Sequence, residues 1–115
     1  MHGKDFVDAI NLTVEIELIV TERSRRTTSR PVWFVLEGGT LFLLPVVGSE
    51  TKWYQNVLRN PQITLAVKGK RLSAKATAIS DHAQVARVVD LFGSKHGAEV
   101  QKLYSKFDVA VAVPV

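Results

Sequence analysis

The chain has 115 residues, 46% of them hydrophobic and 23% charged, and it contains no cysteine. Those figures fit one compact domain over residues 1–115 and exclude a disordered chain, a disulfide scaffold, Cys-ligated zinc and thiolate chemistry. Fifteen Lys plus Arg stand against 11 Asp plus Glu, a formal charge of +4 that favours an anionic partner.

No apolar run approaches the roughly 20 residues of a membrane helix, so no integral membrane segment is expected. Met1-His2-Gly3-Lys4-Asp5 has no apolar stretch with a cleavage site behind it, and the cytoplasm is the expected compartment.

Leu12 to Val20 opens the pattern. Val14, Ile16, Leu18 and Val20 alternate with Thr13, Glu15 and Glu17, which predicts a half-buried strand. Arg30–Leu36 and Leu41–Val47 read as two more strands, with Glu37-Gly38-Gly39-Thr40 as their hairpin turn. A helix follows over Thr51–Arg59, with Ser49 or Thr51 as its cap and Asn60-Pro61 as its stop, Asn60 in a left-handed cap. Trp53 and Val57 share one face of that helix as core residues, and Tyr54 is assigned to the rim.

Ile63–Lys68 and Leu72–Ile79 repeat the hairpin arrangement around Gly69-Lys70. A second helix starts at Ser80-Asp81, where Asp81 and Gln84 have capping-box spacing, and carries Val85, Val88, Val89 and Phe92 inward. Ala98–Tyr104 reads as a short third helix. Alternating Val109, Val111, Val113 and Val115 give a sixth strand, whose Pro114 suggests a sheet edge. The element order, with its short hairpins, predicts a mainly β (α+β) fold: a six-stranded antiparallel split β-barrel with two or three helices.

Most enzyme templates are absent. His2, His82 and His96 form no metal-ligand pair, and no metal site is expected. There is no nucleophile elbow, phosphate-binding P-loop or dinucleotide fingerprint. Any redox chemistry therefore belongs to a cofactor, and no side chain is assigned as a covalent catalyst.

Three basic segments are candidate anion contacts. Arg23-Ser24-Arg25-Arg26-Thr27-Thr28-Ser29-Arg30 mixes guanidinium forks with hydroxyls, a composition suited to phosphate and equally to a solvated hairpin. Gly48 to Asn56 opens a helix beside Lys52, where free backbone N–H groups favour an anion. Lys68-Gly69-Lys70-Arg71 reads as a hairpin tip kept soluble by its charges. Trp33 and Phe34 point to opposite faces, a poor platform for stacked bases, so nucleic acid is not an expected partner.

Several strings are distinctive together: Pro31-Val32-Trp33-Phe34-Val35, Leu41-Phe42-Leu43-Leu44, Lys52-Trp53-Tyr54-Gln55-Asn56-Val57-Leu58-Arg59-Asn60-Pro61 and Leu91-Phe92-Gly93-Ser94-Lys95-His96-Gly97. In these the chain resembles the flavin/deazaflavin oxidoreductases of the pyridoxamine-5′-phosphate-oxidase-like split-barrel superfamily, and within it the deazaflavin-dependent nitroreductase family. The resemblance runs from about Leu12 to the C-terminus. It implies a bound deazaflavin (coenzyme F420) or FMN that passes hydride to a quinone-, nitro- or enone-like acceptor, in a homodimer. The alternative is a non-catalytic module of the same fold holding a flavin-like, haem-like or fatty ligand.

Carried onto this chain, the resemblance implies tail contacts from Arg26, Thr28, Ser29 and Arg30. It implies a ring against Leu44, Pro45 and Val46, and a phosphate end closed by Ser49, Lys52 and Trp53. The family has Ser-Gly in the basic segment, whereas here Ser24 is followed by Arg25. Many relatives in the family carry an extra N-terminal helix over the substrate where this chain is short, so no substrate contacts are assigned to such a helix.

Overall fold

The computed structural model describes residues 3–11 and 13–115; Met1, His2 and Leu12, the expected first residue of the opening strand, lie outside the described residues. Helix α1 (Gly3–Ile10) comes first and was not expected from the sequence. Strand β1 (Glu15–Thr21) pairs with β2 (Thr27–Trp33). The short strands β3 (Val35–Glu37) and β4 (Thr40–Leu43) form the next hairpin. A 3-10 turn (Gly48–Glu50) leads into α2 (Lys52–Arg59). Strands β5 (Gln62–Val67), β6 (Lys70–Lys75) and β7 (Thr77–Ile79) precede α3 (His82–His96), α4 (Glu99–Leu103) and β8 (Ala110–Pro114).

The described strands number eight rather than six, and they form two four-stranded antiparallel sheets of order β2-β1-β5-β6 and β3-β4-β8-β7. The difference has a local cause. Two expected strands each bend at one buried residue and pass into the other sheet: Phe34 separates β2 from β3, and Ala76 separates β6 from β7. Each sheet thereby has its outer strands continued into the other, and the two enclose one core.

That core is supplied by period-two alternation. Ile16, Leu18 and Val20 from β1, Ile63 and Leu65 from β5, Leu41 and Leu43 from β4, and Val111 and Val113 from β8 all point inward. Val14 falls short of the strand and is 58% exposed. Helix α1 adds Phe6, Ala9 and Ile10, at the i, i+3, i+4 spacing of one helical face. Helix α2 adds Trp53, Tyr54 and Val57; Tyr54 is buried rather than at the rim, because core packs against both sides of the helix's inner face.

A second cluster lies on the other face of the β3-β4-β8-β7 sheet. Val85, Val88 and Phe92 of α3 pack with Val100, Tyr104, Val35, Leu44 and Ala110. Trp33 of β2 and Val35 of β3 pack into this cluster.

Turn chemistry follows the sequence closely. Gly38 and Gly39 both take positive φ (57° and 79°), the geometry of a tight type I′ hairpin. Asp81 caps α3 by accepting from Gln84 N–H at 3.0 Å. Asn60, by contrast, is extended (φ −139°, ψ 97°) and not left-handed, because Pro61 disfavours helical backbone at the residue before it. Strand β8 is interior to its sheet. Pro114 is tolerated there because β7 pairs only as far as Thr77 opposite Ala112, leaving Pro114 beside β4 alone.

Arg25 has φ +71°, in the left-handed region that glycine adopts without cost. The loop is closed around it by Glu22 N–H to Arg26 O (2.8 Å) and Arg25 N–H to Glu22 O (2.9 Å). The chain therefore keeps the backbone shape that a glycine would favour while carrying an arginine. Urea denaturation should show Arg25→Gly at least as stable as the parent, and Arg25→Val less stable by about 1 kcal/mol or more. A more stable valine variant would contradict the assigned backbone.

Candidate functional site

Residues of helix α2 and strand β2 line two adjoining lobes of a surface cleft. The apolar lobe has a volume of about 590 Å³ and is lined by Val32, Trp33, Leu44, Val46, Val47, Trp53, Leu103 and Tyr104, with Glu15, Arg30, Glu50 and Lys52 among its polar residues. The second lobe, about 450 Å³, is lined by Arg23, Ser24, Thr28, Arg30, Lys52, Gln55, Asn56 and Arg59, with Glu22 as its one carboxylate. Arg30, Lys52 and Trp53 line both lobes, so the apolar lobe and the basic one adjoin at these three residues.

Local sequence explains the placement. Burial of Trp53, Asn56 and Val57 turns one face of α2 inward. The other face then carries Lys52, Gln55 and Arg59, at helical spacing, to the cleft. Arg59 also donates to the Asn56 side-chain carbonyl. On β2, Thr28 and Arg30 are two apart and share a side of the strand.

The α2 entry is held from a distance. Thr51 Oγ1 accepts from Val47 N–H (2.9 Å) and so does not cap its own helix, whose first N–H groups have no side-chain cap. Asp108 accepts from Ser49 N–H (2.9 Å) and Ser49 Oγ–H (2.6 Å). Lys106 pairs with Glu50 at 2.9 Å and approaches Asp108 at 3.8 Å. The Ser49 hydrogen bonds hold the Asp108 carboxyl below the usual carboxylate range. Gly48 (φ +58°) is enclosed by the same residues: a Cβ there would overlap Asp108 Oδ1 and press on Lys106.

One wall of the apolar lobe is aromatic. Trp33 stacks on His96 with centroids 4.4 Å apart and planes 14° from parallel, and it meets Tyr104 at 6.1 Å. Burial pushes the Tyr104 phenol up to about 12. Its hydroxyl makes no hydrogen bond among the described residues, and no such oxygen is both unpaired and sealed from solvent.

The structure brings six of the ten residues singled out from sequence into the cleft: Thr28, Arg30, Leu44, Val46, Lys52 and Trp53. It does not bring in the other four. Arg26 is exposed outside the lining, Ser29 lies on the alternate side of β2, and Pro45 is fully buried. Ser49 spends its hydroxyl on Asp108. Sequence reasoning missed Arg59, Trp33 and Tyr104 as lining residues and named Arg23 only within its basic segment. The Lys52–Gln55–Arg59 spacing could have found Arg59, whereas Tyr104 reaches the cleft only through tertiary packing.

A planar ligand with an anionic tail fits this donor set: an apolar chamber with aromatic walls, then four cations against one carboxylate. The fold itself is shared with solved structures. An F420-H2-dependent reductase, FDR-A, matches at TM-score 0.67 with 20% identity over 87% of this chain and 93% of its own. HutZ, a haem storage protein from Vibrio cholerae, matches at 0.74 with 15% identity over 99% and 90%. A pyridoxamine 5′-phosphate oxidase homologue from Listeria innocua matches at 0.72 with 13% identity over 96% and 90%. These likenesses define the fold class, that of the pyridoxamine-oxidase-like structures. Residues 10–114 match the family of F420H(2)-dependent quinone reductases, and the chain belongs to that family. A comparison with curated protein sequences found no match.

The Asp108 staple gives a stability test. Its carboxyl titrates lower in the folded chain than in the unfolded one, so its contribution is present above the ordinary carboxylate range and is lost as pH falls through the depressed value. Asp108→Ala should lower the melting temperature at neutral pH, with the deficit shrinking by about pH 2. Gly48→Ala should cost about 1 kcal/mol or more. A deficit for Asp108→Ala that is equal at both pH values would mean the carboxylate is not what holds the turn.

Proposed function

We propose that residues 1–115 act as one cofactor-binding domain, a reductase that uses bound F420 to reduce a quinone. The observation that carries this reading is the cleft whose apolar and basic lobes meet at Arg30, Lys52 and Trp53. When bound, the cofactor supplies hydride. In this reading Leu44, Val46 and Trp33 provide the apolar wall for its ring, and Arg30, Lys52, Arg59 and Thr28 hold its anionic tail by charge-assisted bonds. The uncapped first turn of α2 adds backbone N–H groups next to Lys52.

Reduction of a quinone also places protons on its oxygens. Tyr104, held un-ionised by burial, is a hydrogen-bond donor on the wall of the apolar lobe. The family favours F420 over FMN, and quinones over nitro or enone acceptors.

The second reading is a non-catalytic ligand carrier, a reading the fold it shares with HutZ keeps in view. The cleft lining contains no His, Cys or Met, and Tyr104 is its one side chain of a type that ligates haem iron.

Fluorescence titration with F420 and with FMN separates the readings. F420 should bind more tightly than FMN, and added salt should weaken it. Arg30→Ala and Lys52→Ala should each raise its Kd about tenfold, with Arg26→Ala within about twofold of the parent. Tight F420 binding with no quinone reduction would favour the carrier. No binding of either cofactor, or unchanged affinity in both Arg30→Ala and Lys52→Ala, would remove the proposal.

A further inference from the structure

The Lys95-His96 pair at the end of α3 belongs to no part of the reading above, yet it touches the cleft wall from behind. We propose that His96 is a positioning residue that fixes the Trp33 indole as a wall of the apolar lobe, making the seating of a planar ring depend on the His96–Trp33 stack. The proposal rests on the cofactor reading, and it concerns how the cleft is held in shape.

The geometry starts at the bend between β2 and β3. Phe34 sits between the two strands and has no ladder partner, so its carbonyl oxygen is free for side chains. Lys95 Nζ donates to it at 2.9 Å, and the same ammonium lies 3.7 Å from the Phe34 ring centroid. His96 Nε2–H donates to the same oxygen at 3.3 Å. A carbonyl only accepts, so this bond sets the tautomer and leaves Nδ1 as the nitrogen that titrates. With its edge fixed, the imidazole lies flat against Trp33 and also meets Phe92 at 5.5 Å, tilted by 43°. Phe92 and Tyr104 then lock edge to face at 6.0 Å. Trp33 is half-buried and lines the cleft, so the position of its ring is set by what lies behind it.

The charges around His96 give the stack a direction of pH response. From β2 and the bend, His96 meets the Trp33 ring and the Phe34 carbonyl, neither of which ionises. Tyr104, across the aromatic cluster, is held un-ionised. Lys95 is the one charged neighbour among the described residues, and it shares the same acceptor. Burial first, and then the Lys95 charge, hold the imidazole below its ordinary value of 6.5, although the Phe34 bond acts the other way. A proton on His96 therefore sets two cations on one carbonyl beside Trp33. The neutral stack belongs to the pH range above the depressed midpoint.

Two measurements test this on the full chain. In the ligand-free protein, NMR should show the Trp33 indole N–H resonance, assigned with Trp33→Phe, moving with the same midpoint as the His96 ring. In F420 titrations the parent's affinity should fall as pH drops through that midpoint, and bound F420 should in turn push the His96 midpoint lower, as reciprocity requires. His96→Ala should weaken F420 about three- to tenfold at pH 7.5 and remove the step. His96→Phe keeps a ring behind Trp33, and Lys95 still serves the carbonyl; it should restore affinity to within about twofold while also removing the step.

Parent-like affinity in His96→Ala, verified as folded by its NMR spectrum, would overturn the proposal while leaving the cofactor reading intact. So would a His96 midpoint that F420 does not move. If F420 binds no form, the cofactor reading falls and the seating role falls with it; a Trp33 indole that ignores His96 titration overturns the stack itself.

Discussion

Burial of Trp53, Tyr54 and Val57 in the space between the two sheets is the contact on which the site depends. Each such side chain contributes about 1.5–3 kcal/mol when taken out of water. Three of them on an eight-residue helix fix its rotation as well as its place. A helix that short has little stability of its own, so its orientation is inherited from the core. Once the inner face is set, Lys52 and Arg59 have one place to go, the side facing Arg30 and Thr28 of β2. The charge of the cleft is thus a consequence of its hydrophobic packing.

The same logic explains the two-sheet body. Strands that bend at Phe34 and Ala76 let a chain of this length enclose one core between two short sheets. The bend at Phe34 leaves a carbonyl without a strand partner, and the end of α3 supplies donors for it. The carbonyl's needs bring Lys95 and His96 to the back of Trp33, and so connect a fold requirement to the wall of the cleft. At the other end, Asp108 crosses 59 residues of sequence to hold Ser49 and with it the entry to α2.

Much of this was legible in the sequence wherever a local rule decides the structure. The Gly38-Gly39 turn, the Asp81 cap and the alternation of β1 from Ile16 to Val20 depend on a few adjacent residues, and each is found as read. The resemblance to the deazaflavin oxidoreductases led to Arg30 and Lys52, both of which line both lobes of the cleft. Features set by tertiary neighbours were less legible. Ser49 reads as a free hydroxyl beside a helix start until Asp108 arrives from the far end of the chain. Tyr54 reads as rim until core appears on both sides of α2. Phe34 reads as mid-strand, since a bend between sheets has no sequence mark apart from the need to bury its side chain. Helix α1 had a signal in Phe6, Ala9 and Ile10, but it is short and lies beside the strand pattern that drew the eye.

The central claim is that one continuous cleft seats both a planar ring and its anionic tail. Chemical-shift mapping of the isotope-labelled chain with F420 tests it most directly. The account predicts perturbations that run without a break from Val46 and Trp33 through Trp53 to Arg59, with the Lys68–Arg71 turn unmoved. Shifts centred on that turn or on α1, with Trp53 silent, would contradict it.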